Sequence, residues 1–143
     1  MSSSAISTPF YERPIGSVSS YDVEGDLSAL TNTFVQLDTS RARCVAAWTA
    51  GNMPVGVLTN APKEDATSTA FSLTATVQKS GTALVKAGTG GLALGDLVKL
   101  DTGGVGVKAT PTDGDILVGQ CVFAAAQNAI ASVELFKIFY AAP

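Results

Sequence analysis

The chain of 143 residues contains no histidine. That removes the commonest general base, the usual Ser- or Cys-based triads and most transition-metal sites. Its two cysteines, Cys44 and Cys121, lie far apart within apolar segments and form neither a CxxC nor a Cys/His set. They read as two buried thiols acting as small hydrophobes, in preference to a disulfide. Gly88-Thr89-Gly90-Gly91 has the glycine content of a phosphate loop. It lacks the Gly-Lys-Ser/Thr ending that would bring an ammonium and a hydroxyl to the phosphates. Asp113-Gly114-Asp115 offers two carboxylates, but the remaining ligands and closing Glu of a calcium loop are missing, so a polar turn is expected. Glu64-Asp65 reads as a solvated loop tip. Trp48 could stack on a sugar, but a lone Trp within an apolar run reads as core. No nucleophile, acid–base pair or metal set can be nominated. The expectation is a protein that is not an enzyme, carries no cofactor and works by binding.

The elements that would position such a surface are short and alternate at period two. Leu97 to Asp101 alternates apolar and polar, Gly103-Gly104 can supply the positive φ angles of a hairpin turn, and Val105 and Val107 resume the alternation. Gly95-Asp96 marks the turn before it. Further strands are expected over Phe34–Asp38, Arg43–Trp48, Met53–Leu58, Phe71–Val77, Ala83–Lys86, Ile116–Phe123 and Ile130–Tyr140. Pro54 belongs at a strand start or edge, because it cannot donate to a ladder. Between them, Asp38-Thr39-Ser40, Gly51-Asn52, Asn60–Thr69, Ser80-Gly81, Gly88–Gly91, Thr110–Asp115 and Ala124–Asn128 read as turns or loops. About nine short strands with this punctuation predict an all-β fold, a small barrel or sandwich. The edges of such a fold need covering, and self-association is one way to cover them.

Residues 1–33 differ from the body, 34–143. They are rich in Ser and Thr, carry Pro9 and Pro14, and show no sustained period of 3.6 or 2. At most, Asp26 to Asn32 could form one helical turn capped by Asp26 or Ser28. Phe10, Tyr11 and Tyr21 interrupt this polar stretch, with Ile6, Ile15 and Val18 nearby. Spaced aromatics on a proline-containing arm predict a segment that orders against a surface, each anchor contributing about 1.5–3 kcal/mol if fully buried, less the ordering cost. Fully extended, an arm of this length reaches at most about 100 Å.

Composition bounds the partners. Hydrophobic residues make up 46% and charged residues 15%, a balance in which small residues or partner contacts take the place of surface charge. The net charge of −3 is uneven. Residues 1–40 carry Glu12, Asp22, Glu24, Asp26 and Asp38 against Arg13 alone, and the remainder is close to neutral. Nucleic acid requires a basic footprint and is not expected as a partner. Docking on a basic protein surface is compatible with the acidic front, as is plain solvation. No apolar run approaches the roughly 20 residues of a membrane span, so no membrane partner is expected. Met1-Ser2-Ser3-Ser4 shows no basic region with an apolar stretch behind it, so no secretory leader is expected.

From Phe34 onward an ordered series of segments resembles a known family. Phe34-Val35-Gln36-Leu37 opens it, and Met53-Pro54-Val55-Gly56-Val57-Leu58-Thr59-Asn60-Ala61-Pro62 follows. Val77-Gln78-Lys79-Ser80-Gly81, Leu94-Gly95-Asp96-Leu97-Val98 and Gly119-Gln120-Cys121-Val122-Phe123-Ala124-Ala125-Ala126 come next, and Ile130-Ala131-Ser132-Val133-Glu134-Leu135 ends the series. This resembles the capsid cement, or head decoration, proteins of tailed bacteriophages over residues 34–136. The resemblance implies a small β-tulip-like barrel or sandwich body with an extended N-terminal arm, commonly a homotrimer. It also implies a place on the outer surface of the virion head, where the protein binds the major capsid protein and holds neighbouring subunits together against internal DNA pressure. On that reading Phe10, Tyr11, Glu12, Tyr21, Asp22 and Glu24 form the capsid-contact side of the arm, an assignment from composition and not from a family motif. Two other classes compete: a phage tail, baseplate or host-surface adhesin module, and a ligand-binding β-barrel with an internal pocket.

Overall fold

The computed structural model describes residues 16–23, 25–62, 74–110 and 115–140. Among them it holds ten strands and no helix. β1 (Val18–Val23), β2 (Phe34–Leu37), β3 (Cys44–Ala47), β4 (Pro54–Leu58) and β5 (Thr74–Gln78) close into a barrel in the order β1-β3-β2-β4-β5. All its pairs are antiparallel except β1 with β3. β6 (Gly81–Lys86), β7 (Leu97–Asp101), β8 (Val105–Lys108), β9 (Asp115–Phe123) and β10 (Ile130–Tyr140) form a second sheet in the order β6-β10-β9-β7-β8. The all-β barrel architecture agrees with the sequence reading.

The two sheets treat their edges differently. Closure leaves the barrel without an edge, and a bridge between Ala87 and Gly106, with the Gly88 N–H donating to the Gly106 carbonyl at 2.7 Å, joins the β6 end to the outer strand β8. Along the rest of their length β6 and β8 remain the edge strands of the second sheet.

The strand absent from the sequence reading is β1. It pairs with β5 from Val18↔Gln78 to Asp22↔Thr74, and with β3 through Asp22↔Cys44 and Val23↔Val45. Its alternation places Ser19, Tyr21 and Val23 on the inner side, and two polar residues among those three erase the hydrophobic signal. The following residues belong to the body as well. Leu27 and Thr33 are buried, the Leu27 N–H donates to the Pro62 carbonyl at 3.0 Å, and the Asn32 N–H to the Leu58 carbonyl at 2.7 Å. A boundary after residue 33 thus cuts through the barrel, and residues 16–23 and 25–33 pack as body. Asp26 to Asn32 is two successive turns, closed by Leu30 N–H to Leu27 carbonyl and Thr33 N–H to Leu30 carbonyl, both 3.0 Å. Asp26 does act as a cap, accepting from the Ser28 N–H at 2.9 Å, but what it caps is a turn and not a helix.

Strands β2 and β4 are walls shared by two cores. Val35 and Leu58 face the barrel interior with Val23, Leu27, Val45, Ala75 and Val77. Phe34 and Val57 turn the other way and join Val85, Leu92, Val98, Val118, Cys121 and Val133 beneath the second sheet. Burial on both faces explains why Phe34-Val35 and Val57-Leu58 are consecutive apolar pairs, which alternation alone does not require. Pro54 opens β4, as its missing N–H demands. Both cysteines are buried and neither forms a disulfide.

Two polar devices fasten the halves. Gln78 is buried, and its amide Nε2 donates to the Ser80 and Thr82 carbonyls, each at 2.9 Å, fixing the sharp passage from β5 to β6. The β7–β8 hairpin reaches from the second sheet to the barrel. Asp101 pairs with Val105, so three residues and not two make the loop, closed by Gly104 N–H to Asp101 carbonyl at 2.9 Å. Gly103 and Gly104 have φ of 89° and 77°. The Gly104 carbonyl then accepts from the N–H of Phe34 at 2.9 Å. A Cβ at residue 104 would collide with the Phe34 carbonyl oxygen, so this approach requires glycine.

Candidate attachment surface

The strand directions bring the start of β1, the end of β2, the start of β3, the start of β4 and the end of β5 to one end of the barrel. That end opens into a concavity of about 740 Å³, walled by Tyr21, Leu37, Met53, Val55, Asp38 and Lys79 among others. Tyr21 packs against the barrel core from below, and the Lys79 ammonium stands 5.1 Å from its ring centroid. Leu37 is 51% and Met53 44% exposed, so large apolar side chains face solvent at the rim.

The chain joins the body at this same end. The Ser17 carbonyl accepts from the Lys79 N–H at 2.8 Å, and the Ser17 N–H donates to the Ser80 hydroxyl at 2.9 Å. Gly16 lies so close to the Ser80 carbonyl that a Cβ there would overlap it. The first described residues, Gly16 and Ser17, therefore lie beside the mouth. With that anchor, the reach of residues 1–15 is at most about 50 Å, half of what an arm of residues 1–33 would have.

Of the residues assigned to the arm, Phe10, Tyr11, Glu12 and Glu24 lie outside the described residues. Tyr21 and Asp22 are described, and the structure does not bring their side chains together. They are neighbours in β1 and point to opposite sides of the barrel wall: Tyr21 lines the mouth, and Asp22 is exposed on the outer surface. The Asp22 N–H donates to the Arg43 carbonyl at 2.7 Å, which fastens it as a strand residue.

A second apolar spot sits on the other sheet. Leu94, 73% exposed, and Phe123, 43% exposed, flank the bridge between Leu92 and Ala125. The Gly95 N–H donates to the Cys121 carbonyl and the Cys121 N–H to the Asp96 carbonyl, both 2.8 Å, locking the two segments in register. Two stretches of the resembling series, Leu94–Val98 and Gly119–Ala126, thus meet at one surface. Sequence inspection gave Leu94 and Phe123 no role, since alternation marks them as ordinary strand or turn residues.

Trp48 departs from its expected place in the core. It is only half-buried, in the β3–β4 loop, with its ring N–H donating to the Asn52 carbonyl at 2.7 Å. The run Arg43–Trp48 ends as a strand at Ala47, so the ring falls beyond the buried stretch. Among the described residues no cluster of Cys, Asp or Glu could hold a metal ion. Burial pushes the Cys121 thiol above its ordinary pKa; the Asp96 carboxylate adds to this and a backbone hydrogen bond with Phe123 opposes it. A thiol held protonated in this way is a poor nucleophile.

No family model matches the chain, and no curated relative matches it. Among solved structures it is similar to the head fiber gp8.5 N base of bacteriophage phi29, with a TM-score of 0.63 at 11% sequence identity, over 85% of this chain and 97% of that one. The two share a fold. The likeness takes in almost the whole of the phi29 domain, so it concerns the complete architecture and not one sheet.

Proposed function

We propose that this chain is a non-enzymatic structural protein of a tailed-phage head, seated on the outer surface and cementing major capsid subunits together. The observation that carries the proposal is the likeness over 97% of the phi29 domain, named as the base of a head fiber. The ordered series of segments that resembles head decoration proteins points the same way. The barrel mouth, with exposed Leu37 and Met53 beside the root of residues 1–15, is the capsid-facing end. On this reading Phe10, Tyr11 and Glu12 contact the capsid next to that mouth, and Leu94 with Phe123 supplies an apolar contact between copies in a homotrimer. Several weak contacts made together give avidity beyond any single one. Neither nucleic acid nor membrane takes part.

Truncation tests this. Removing residues 1–15 leaves β1 whole; the body should stay folded while binding to heads stripped of this protein falls at least tenfold in co-sedimentation. Undiminished binding by the truncated chain removes the arm from the proposal, and failure of the full chain to bind heads removes the proposal itself. A second reading, the basal domain of a fiber projecting from the head, is favoured by the name of the phi29 neighbour. Imaging of intact particles separates the two: a cement lies flat at hundreds of copies, whereas a base carries density above it.

A further inference from the structure

The attachment reading makes no use of the cleft that holds the chain's single tryptophan. The cleft lies between the β3–β4 loop and the second sheet, encloses about 590 Å³, and is walled by Trp48, Pro54, Thr89, Lys99, Asp101 and Ile116 among others. We propose that it is a saccharide-binding site.

The loop is held in shape before any ligand arrives. The Gln36 side-chain carbonyl accepts from the Thr49 N–H at 2.8 Å, and from the Thr49 hydroxyl and Asn52 amide, each at 3.2 Å. The Asn52 amide also donates to the Thr49 hydroxyl at 2.8 Å. The indole N–H is engaged with the Asn52 carbonyl at 2.7 Å, which fixes the ring and leaves carbon as what Trp48 offers to the cleft. A preorganised loop loses little entropy when a ligand binds.

The wall chemistry selects the ligand class. A pyranose has a C–H face that packs on an aromatic ring and a belt of hydroxyls that both donate and accept. Trp48 and Ile116 supply the apolar floor, the Asp101 carboxylate accepts, and the Thr89 hydroxyl donates or accepts. The volume falls within the usual range of about 300–1,000 Å³ for small-molecule sites. The Asp101 carboxylate disfavours a polyanion such as a nucleotide, and a wholly apolar ligand would strip that carboxylate of water without giving it a hydrogen bond. A neutral sugar satisfies both kinds of wall. This site needs no capsid, so its success or failure is independent of the attachment reading.

Because Trp48 is the only tryptophan, its emission reports on the cleft directly. The full chain is titrated with glucose, galactose, N-acetylglucosamine and their β-linked disaccharides up to about 100 mM, enough to saturate a millimolar site. At least one should give a saturable change in emission. Asp101→Ala, which keeps the fluorophore and the backbone bond from Gly104 to Asp101, should weaken that sugar at least tenfold. Trp48→Ala should abolish its saturation-transfer NMR signal, and Trp48→Phe should retain part of it. Circular dichroism confirms that each variant is folded; if Trp48→Ala does not fold, Asp101→Ala and Trp48→Phe carry the test. Absence of a saturable response to every sugar overturns the proposal, as does binding that the folded variants leave unchanged.

Discussion

Replacing Gly104 by Ala should separate the two halves of the molecule at a single atom. The residue has φ of 77°, and an L side chain in that region costs about 1–2 kcal/mol. The new methyl group would also collide with the Phe34 carbonyl oxygen, a backbone atom that cannot swing aside. The hairpin tip must retreat, and the 2.9 Å bond from the Phe34 N–H to the Gly104 carbonyl is lost. Leaving that buried N–H unpaired costs about another 1–3 kcal/mol, so Gly104→Ala should destabilise by about 2–5 kcal/mol. Gly103→Ala is the control. It shares the positive φ, at 89°, but its Cβ would point into open space, leaving only the conformational cost of about 1–2 kcal/mol. Urea unfolding followed by Trp48 emission and far-UV circular dichroism measures both variants. A domain of this size loses about 2–4 °C of melting temperature per kcal/mol, so Gly104→Ala should melt about 5–15 °C lower. If the two variants agree within about 0.5 kcal/mol at equal m-values, the hairpin tip does not clamp the barrel and the account of the shared wall is wrong.

Other outcomes follow from single residues. Ser132 is fully buried on β10, and among the described residues its hydroxyl finds no partner; Ser132→Ala should therefore be neutral or stabilising by up to about 1 kcal/mol, and a loss above that value in urea melts would show an overlooked partner. Burial makes the Cys121 thiol titrate higher folded than unfolded. Its stabilising contribution is therefore intact below the unfolded pKa and is lost as pH rises through the folded one. Between pH 8 and 11 the wild type should lose more stability than Cys121→Ala, and parallel pH profiles would contradict this. Native Cys121 should also react with a thiol reagent only as fast as the body opens. Deleting residues 1–24 removes β1 and should unfold the barrel, whereas deleting 1–15 should leave the melting temperature within a few degrees; equal melting by circular dichroism would show that β1 is dispensable.

Legibility followed the hydrophobic signal. Strands with an apolar face and a glycine, asparagine or proline at each end, such as Leu97–Asp101 and Ile130–Tyr140, were readable because alternation and turn chemistry agree there. β1 was not, because Ser19 and Tyr21 on its inner side are only half-buried, Tyr21 at the barrel mouth, and Val23 alone is fully buried. Trp48 was misplaced for the opposite reason: its apolar neighbours imply burial, but the strand ends one residue before it. Tyr21 and Asp22 were grouped by composition, and the period of two that separates them has meaning only once β1 is known to be a strand. The surface formed by Leu94 and Phe123 could not be seen in sequence at all. It exists only because the Leu92–Ala125 bridge pairs residues 33 positions apart.

The placement of β1 has a mechanical consequence. A pull on residues 1–15 enters the body at Gly16 and runs along the strand axis. β1 is held on one side by five registered residue pairs with β5 and on the other by two with β3. Tension along that axis loads the ladder in shear, so the bonds must yield together instead of opening one after another from the end. The two-sided seating therefore makes the first strand a tether point, one that turns a force on the terminus into a load shared across the barrel wall.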